Sequence, residues 1–422
     1  MPDGSTTAHI FRPKLLTLAA EGYGITALRR DIVAGLTVAI VALPLSMAIA
    51  VASGVSPERG LYAAIVGGFL VSALGGSRYQ VGGPAGAFIV LVAATVAGHG
   101  LDGLLITVLM SGVMLTLVGL SGLGALIRYI PQPVTVGFTC GIAVTILASQ
   151  LKDLGGLTLA GAEPSHFFPK LAALAHALPS LNPSAVAIGL GSAALIFTMQ
   201  SWRRTWPAML IAVALASLVA FALHLPIETI GSRFGGIPNS LPAPALPVIT
   251  LSRLWELLPA AISFTLLGGI ESLLSAKIAD AMTGRKHRYN MELVAQGIAN
   301  VVTALFGGLC VTGTIARTAT NIRAGARSPV SGMLHAVFLL LFMIVAAPLA
   351  HYIPLAALAG LLLVVCWNMA DKEEFAELLH HWPPATVLLV TFLLTLLADL
   401  AVGITAGCIV AAALHFLRRD AA

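Results

Sequence analysis

Phe306-Gly-Gly-Leu-Cys-Val-Thr-Gly-Thr-Ile-Ala-Arg-Thr-Ala-Thr-Asn-Ile-Arg-Ala-Gly-Ala326 is dense in Gly, Thr and Arg inside an otherwise apolar chain. This pattern predicts a Gly-broken segment followed by a short helix starting near Gly313-Thr314. The first turn of such a helix has backbone N–H groups without intrahelical partners and the positive end of the helix dipole, which suits an anion. Arg317, one turn in, adds a full positive charge. Non-helical backbone at membrane depth is tolerated only where protein buries it or it lines a cavity. The segment is therefore the candidate binding site.

The surroundings justify reading it at membrane depth. The 422 residues are 58% hydrophobic and only 10% charged, where a soluble chain carries about 25% charged residues. Apolar runs of ~17–22 residues recur along it, as in a polytopic helical membrane protein. The 42 glycines and 23 prolines fit that class. Met1 to Thr17 is polar and lacks the apolar core of a cleavable signal peptide. The net charge of +5 does not indicate nucleic-acid binding, because the basic residues stand singly or in short groups beside apolar runs. Cys140, Cys310, Cys366 and Cys408 read as packing residues. His166, His176 and His224 read as loop or interface residues, and no metal-ligand spacing is present. Protease, hydrolase, P-loop and dinucleotide motifs are missing, so the chain reads as a non-enzyme without a cofactor.

Fourteen spans follow from the runs. The first seven lie near 31–52, 61–75, 84–97, 103–121, 131–151, 185–200 and 207–224. The second seven lie near 258–280, 291–306, 314–325, 330–348, 354–370, 383–398 and 401–417. Spans 84–97 and 314–325 are too short to cross ~30 Å as plain helices. Each follows a Gly-rich break, and each is third in its seven. Short, Gly/Pro-interrupted segments at matching places in two halves point to a transporter's central site, and an odd number of spans per half requires an inverted 7+7 repeat. The expected organisation is a cytoplasmic segment 1–30, a first repeat 31–224, an extracellular or periplasmic linker 225–257, a second repeat 258–417 and a cytoplasmic tail 418–422. With the N-terminus inside, sixteen of the 23 Lys and Arg fall on the cytoplasmic side, Arg128, Arg203 and Arg204 among them, and five fall outside. This predicts an inner membrane protein of a bacterium with both termini cytoplasmic.

Glu271, in the eighth span, is the most informative single residue. A carboxylate at that depth costs several kcal/mol unless it is paired, protonated or facing water, so it reads as an ion-coupling or gating group. Ser275 lies on the same helix face and is placed to help coordinate an ion or water. The alternative for Glu271 is a structural pair, with Arg317 the better partner. Lys277 and Asp280 read as a helix-surface pair. Gly83-Pro84-Ala85-Gly86-Ala87-Phe88 opens the third span with Pro in the first turn. The N–H groups of Ala85, Gly86 and Ala87 are expected to face those near Thr314 if the repeats pack together. Pro44 predicts a kink or break in the first span, with Ser46 reaching the cavity. Gly137-x-x-x-Gly141 and Gly403-x-x-x-Gly407 read as helix-packing motifs. Asp371 to His381 reads as a short interfacial helix.

Asn290-Met-Glu-Leu-Val-Ala-Gln-Gly-Ile-Ala-Asn300, the Phe306-Gly-Gly to Thr314 break, Arg317-Thr-Ala-Thr-Asn321, Gly83-Pro84 and Glu271-Ser-Leu-Leu-Ser275 closely resemble the sulfate permease (SulP) family, over nearly the whole chain. The resemblance implies core and gate domains and elevator-like anion transport. It places the substrate between the third and tenth half-helices, at Ser46, Ala85, Gly86, Ala87, Gly313, Thr314 and Glu271, where the charge of Arg317 adds to the field. Sodium-coupled bicarbonate members look to carry Asp at the Glu271 position, so Glu points to a proton rather than sodium as coupling ion. Leu45 and Ile49 replace the Gln and Tyr of many members and make the cavity less polar. Members usually continue into a STAS domain, whereas this sequence stops at Arg418-Arg-Asp-Ala-Ala422. Sulfate is the first expected substrate, ahead of C4-dicarboxylates and bicarbonate. A nucleobase permease and an uncoupled anion channel are remoter readings. The expected partners are the anion, the bilayer and a second copy in a homodimer.

Overall fold

The structure is a computed structural model that describes residues 11–124, 131–161, 163–164, 166–202, 206–398 and 400–419. Arg128, Arg203 and Arg204 of the charge argument, and residues 420–422 of the expected tail, lie outside the described residues. The fold is all-α. In chain order the helices are α1 (Lys14–Glu21), α2 (Ile25–Ala52), α3 (Pro57–Tyr62), α4 (Gly68–Leu74), α5 (Ile89–Leu120), α6 (Gln132–Gly155), α7 (Phe167–Ala177), α8 (Pro183–Trp202), α9 (Ala208–Ala222) and α10 (Ile230–Phe234). They continue with α11 (Leu251–Thr283), α12 (Tyr289–Leu305), α13 (Ile315–Arg323), α14 (Val330–Ala350), α15 (Leu355–Met369), α16 (Lys372–Leu379), α17 (Trp382–Leu397) and α18 (Leu400–Arg419). A π-helical turn, Ala63–Gly67, joins α3 to α4. Among the described residues, seven helices are long and apolar enough to cross a membrane, and three shorter ones are strongly apolar.

Every expected span has a helix at its place, with shifted ends. The third and fourth are one continuous run interrupted at Gly100, whose φ of 68° and ψ of −172° are open to glycine but strained for other residues. The tenth is the nine-residue α13, preceded by Thr314 in extended conformation (φ −103°, ψ 127°). The eighth begins at Leu251, inside the expected linker, where the Thr250 side chain caps α11 by accepting from Arg253 N–H at 3.4 Å. The expected break at Pro44 is absent, and α2 continues as helix on both sides of it. Asp371 caps α16, its Oδ1 accepting from Glu374 N–H at 3.2 Å.

Two sets of helices pack mainly within themselves. In one, α5 lies along α12 and α11, and α14 lies along α2 and α4. In the other, α17 packs on α6 and α18, while α15 packs on α8 and α6. The small-residue motifs explain part of the second set. A Cβ added at Gly137 or Gly403 would run into α17 at Leu388, Thr391 or Thr395, and Gly141 and Gly407 face the same helix. The sets meet along α2, which touches α15 and α9, in a continuous apolar core that includes Leu45, Ile49, Phe88, Phe138, Ile142, Ile146, Leu358 and Leu362.

The two Gly-rich breaks cross inside the first set. Gly82–Gly83 pairs antiparallel with Thr312–Gly313, Gly82 opposite Gly313 and Gly83 opposite Thr312. This crossing places α5 and α13 start to start.

Candidate functional site

Side chains of the second half hold both crossing strands. Val81 N–H donates to Thr318 Oγ1 at 3.1 Å, Asn321 Nδ2 donates to the Tyr79 carbonyl at 2.9 Å, and Thr314 N–H donates to the Val81 carbonyl at 3.1 Å. Gln80 Nε2 reaches the Ser272 hydroxyl on α11 at 2.9 Å. On the other strand, Val311 exchanges two 2.8 Å hydrogen bonds with the Asn300 side chain, and Gln296 Nε2 also donates to the Val311 carbonyl. Buried backbone groups must find partners. The amides of Gln296, Asn300 and Asn321 supply them where no neighbouring strand can. Close approach explains the glycines, since a Cβ at Gly83 would strike the Arg317 guanidinium and one at Gly313 the Gln80 amide.

The helix starts then face one another across the crossing with N–H groups to spare. Pro84 has no N–H, and Phe88 N–H is taken by the Ala85 carbonyl at 3.1 Å. Among the described residues, the N–H groups of Ala85, Gly86 and Ala87, and of Ile315, Ala316 and Arg317, have no backbone acceptor outside their own helix, and an N-terminal turn offers none within it. Both dipoles point their positive ends here.

Arg317 is 1% exposed. Its Nη2 donates to Ser46 Oγ at 3.1 Å and the Pro84 carbonyl at 3.4 Å, and its Nη1 to the Gly82 carbonyl at 3.5 Å. Ser46 in turn donates to the Ala42 carbonyl at 2.6 Å and is fully buried, so it braces the guanidinium and does not open on a cavity. Glu271 keeps 8% exposure and makes neither a hydrogen bond nor an ion pair among the described residues, so the structural Glu271–Arg317 pair does not form. Ser275 donates to Thr318 Oγ1 at 3.2 Å and ties α11 to α13. Gly86 looks onto open space, where an added Cβ would meet only Ile146 Cδ1 of α6, at 3.9 Å. An anion entering between the helix starts would therefore meet backbone N–H groups first, with the guanidinium behind them.

The sequence profile of the sulfate permease family matches residues 28–395. The chain belongs to that family. It is 42% identical over 401 residues to YvdB of Bacillus subtilis, a protein with a provisional sulfate-transporter name, covering 94% of this chain and 75% of that one. It is 32% identical over 396 residues to the bicarbonate transporter BicA of Picosynechococcus, covering 91% and 69%. The solved transmembrane domain of a cyanobacterial BicA superposes with a TM-score of 0.82 at 32% identity, over 90% of this chain and 98% of that one. The inward-facing structure of murine Slc26a9 has a TM-score of 0.88 at 18% identity, over 99% and 73%, and shares the fold.

The structure brings Ala85, Gly86, Ala87, Gly313, Thr314 and Arg317 together around the crossing, with Ser46 behind. The expected Lys277–Asp280 pair is corrected. Asp280 Oδ2 instead accepts from His287 N–H at 3.0 Å and contacts its Nδ1 at 2.7 Å, while Lys277 is exposed, because the chain turns back at Gly284 and carries His287 over the end of α11. Glu292 and His335 are among the buried ionisable residues that the sequence did not single out. Glu292 accepts from Ser77 N–H at 2.8 Å and fixes the start of the first crossing segment. His335 on α14 is fully buried, and neither ring nitrogen has a hydrogen-bond partner among the described residues. A charged or titratable residue inside an apolar run is the signal that could have found both.

Proposed function

We propose that this permease is a secondary active transporter of a small inorganic anion, sulfate first, with a proton as the coupling ion. The observation that carries this reading is the buried Arg317 guanidinium, held by three oxygens and no carboxylate, behind two opposed helix N-termini. A buried cation without a counter-ion is costly, and an anion bound between the helix starts would supply one. In this reading the helices around the crossing form a core domain that carries the anion past a gate domain made of the other set, in an elevator-like motion. Antiparallel strand pairing between the third and tenth spans supports an inverted 7+7 repeat. Protonation of Glu271 removes a negative charge beside the anion, so proton and anion bind together. A homodimer in a bacterial inner membrane, with cytoplasmic termini, completes the proposal.

Bicarbonate is the second reading, favoured by the 32% identity and close superposition with BicA. C4-dicarboxylates follow. Proteoliposomes separate them: labelled sulfate enters against unlabelled fumarate, bicarbonate or chloride under an imposed proton or sodium gradient. Proton-driven sulfate accumulation supports the proposal. Bicarbonate uptake without sulfate uptake keeps the site and replaces the substrate. Glu271→Gln is expected to abolish the dependence on the proton gradient, and an unchanged dependence sinks the coupling role.

A further inference from the structure

Outside the crossing, charged side chains gather where α1, the Ser77–Tyr79 segment and the 284–288 turn meet. A cavity of about 290 Å³ there is lined by Lys14, Arg78, Arg285, Lys286 and Arg288. An adjoining cavity of about 410 Å³ shares Arg78 and Arg285 and adds Arg30 and Arg327. Seven cations thus face two lining carboxylates, and both carboxylates are engaged, Glu21 by Arg78 and Asp280 by His287. Arg78 and Arg288 are each only 8% exposed, so their charge is poorly screened by water. We propose that this double cavity is a second anion site, distinct from the helix-start site and built for a phosphate group.

The crowding is visible in the cations themselves. Burial, and then the neighbouring Arg288 and Arg78, pull the Lys14 ammonium below its ordinary range. Burial, with Arg12 and Arg78, does the same to Arg288. A phosphate carries nearly two charges and several acceptor oxygens, which suit guanidinium forks arriving from different directions. Chloride neutralises one charge and offers no such geometry. The cavity floor is continuous with the crossing: Lys14 N–H donates to the Gly75 carbonyl at 2.9 Å, and Arg288 N–H to the Gly76 carbonyl at 3.1 Å. A bound phosphate would therefore clamp α1 and the 284–288 turn onto the segment that leads to Gly82.

The test measures binding to the purified full chain at constant ionic strength, with inorganic phosphate titrated against chloride. Short-chain phosphatidic acid and phosphatidylcholine form a second arm. Saturable phosphate binding, weakened at least tenfold in Lys14→Ala/Arg285→Ala/Lys286→Ala, supports the site as one for free phosphate. Binding of phosphatidic acid alone, with the same loss, supports it as a lipid-headgroup site. Arg285 and Lys286 are exposed, so Arg285→Ala/Lys286→Ala serves as a milder variant that leaves the fold and transported-anion uptake in place. Failure of both inorganic phosphate and phosphatidic acid to bind more strongly than chloride overturns the proposal, as does binding that survives in the triple variant or that the transported anion displaces completely.

Discussion

Arg317 and Glu271 are both withdrawn from water, at 1% and 8% exposure, and neither is paired with an opposite charge among the described residues. Arg317 spreads its charge over three oxygens with a planar fork that Lys cannot reproduce. Arg317→Lys is expected to raise KM for the transported anion at least tenfold, about 1.4 kcal/mol of binding, as read from concentration-dependent uptake. Arg317→Met is expected to remove transport while costing little thermal stability, because it also removes a buried uncompensated charge. A large drop in melting temperature would make Arg317 a structural brace rather than a binding group. The glycines give a second contrast. Gly83→Ala drives a Cβ into the guanidinium and is expected to destabilise the protein, whereas Gly86→Ala points into open space and is expected to fold normally. Gly86→Leu would fill that space, so it is predicted to melt like the parent protein and to transport nothing.

The elements around the site are short because their ends are needed. α13 has nine residues and would be marginal alone; it is held by Thr318 and Asn321, which bond the opposite strand. Asn300 plays the matching part for Val311. Asn300→Ala leaves a buried N–H and weakens the hold on a carbonyl, at about 1–3 kcal/mol for each stranded group. A fall in melting temperature together with lost transport is expected, and an unchanged melting curve would mean that the strand has other support. The Asn290–Asn300 motif is legible as a motif in the sequence, but its purpose is not. Glu292, Gln296 and Asn300 lie on one helix face, and only the fold shows that this face meets extended segments in need of partners.

At the scale of the molecule, the interface between the two helix sets is apolar and passes beside the site, where Gly86 of one set faces Ile146 of the other. Such an apolar contact is compatible with the proposed motion of one set past the other. In a background without Cys140, Cys310, Cys366 and Cys408, Gly86→Cys/Ile146→Cys bridged by a short bifunctional reagent is expected to stop transport, with recovery on cleavage of the bridge. Full uptake by the bridged protein would exclude elevator motion at this interface.

The sequence by itself determined the membrane class, a helix at the place of each of the fourteen expected spans, the two Gly-rich breaks and the stretch in which they meet. These are local properties: an apolar run of the right length, a Pro or Gly that interrupts it and a polar cluster with no other reason to be there. Tertiary structure decided which side of the crossing each residue occupies. Ser46 and Arg317 stand behind the strands, Asp280 turns to His287, and His335 and Glu292 are sealed inside. The physical reason is the solvent. In a bilayer the lipid-facing and protein-facing sides of a helix are both apolar, so the periodicity that marks the buried face of a soluble helix is lost.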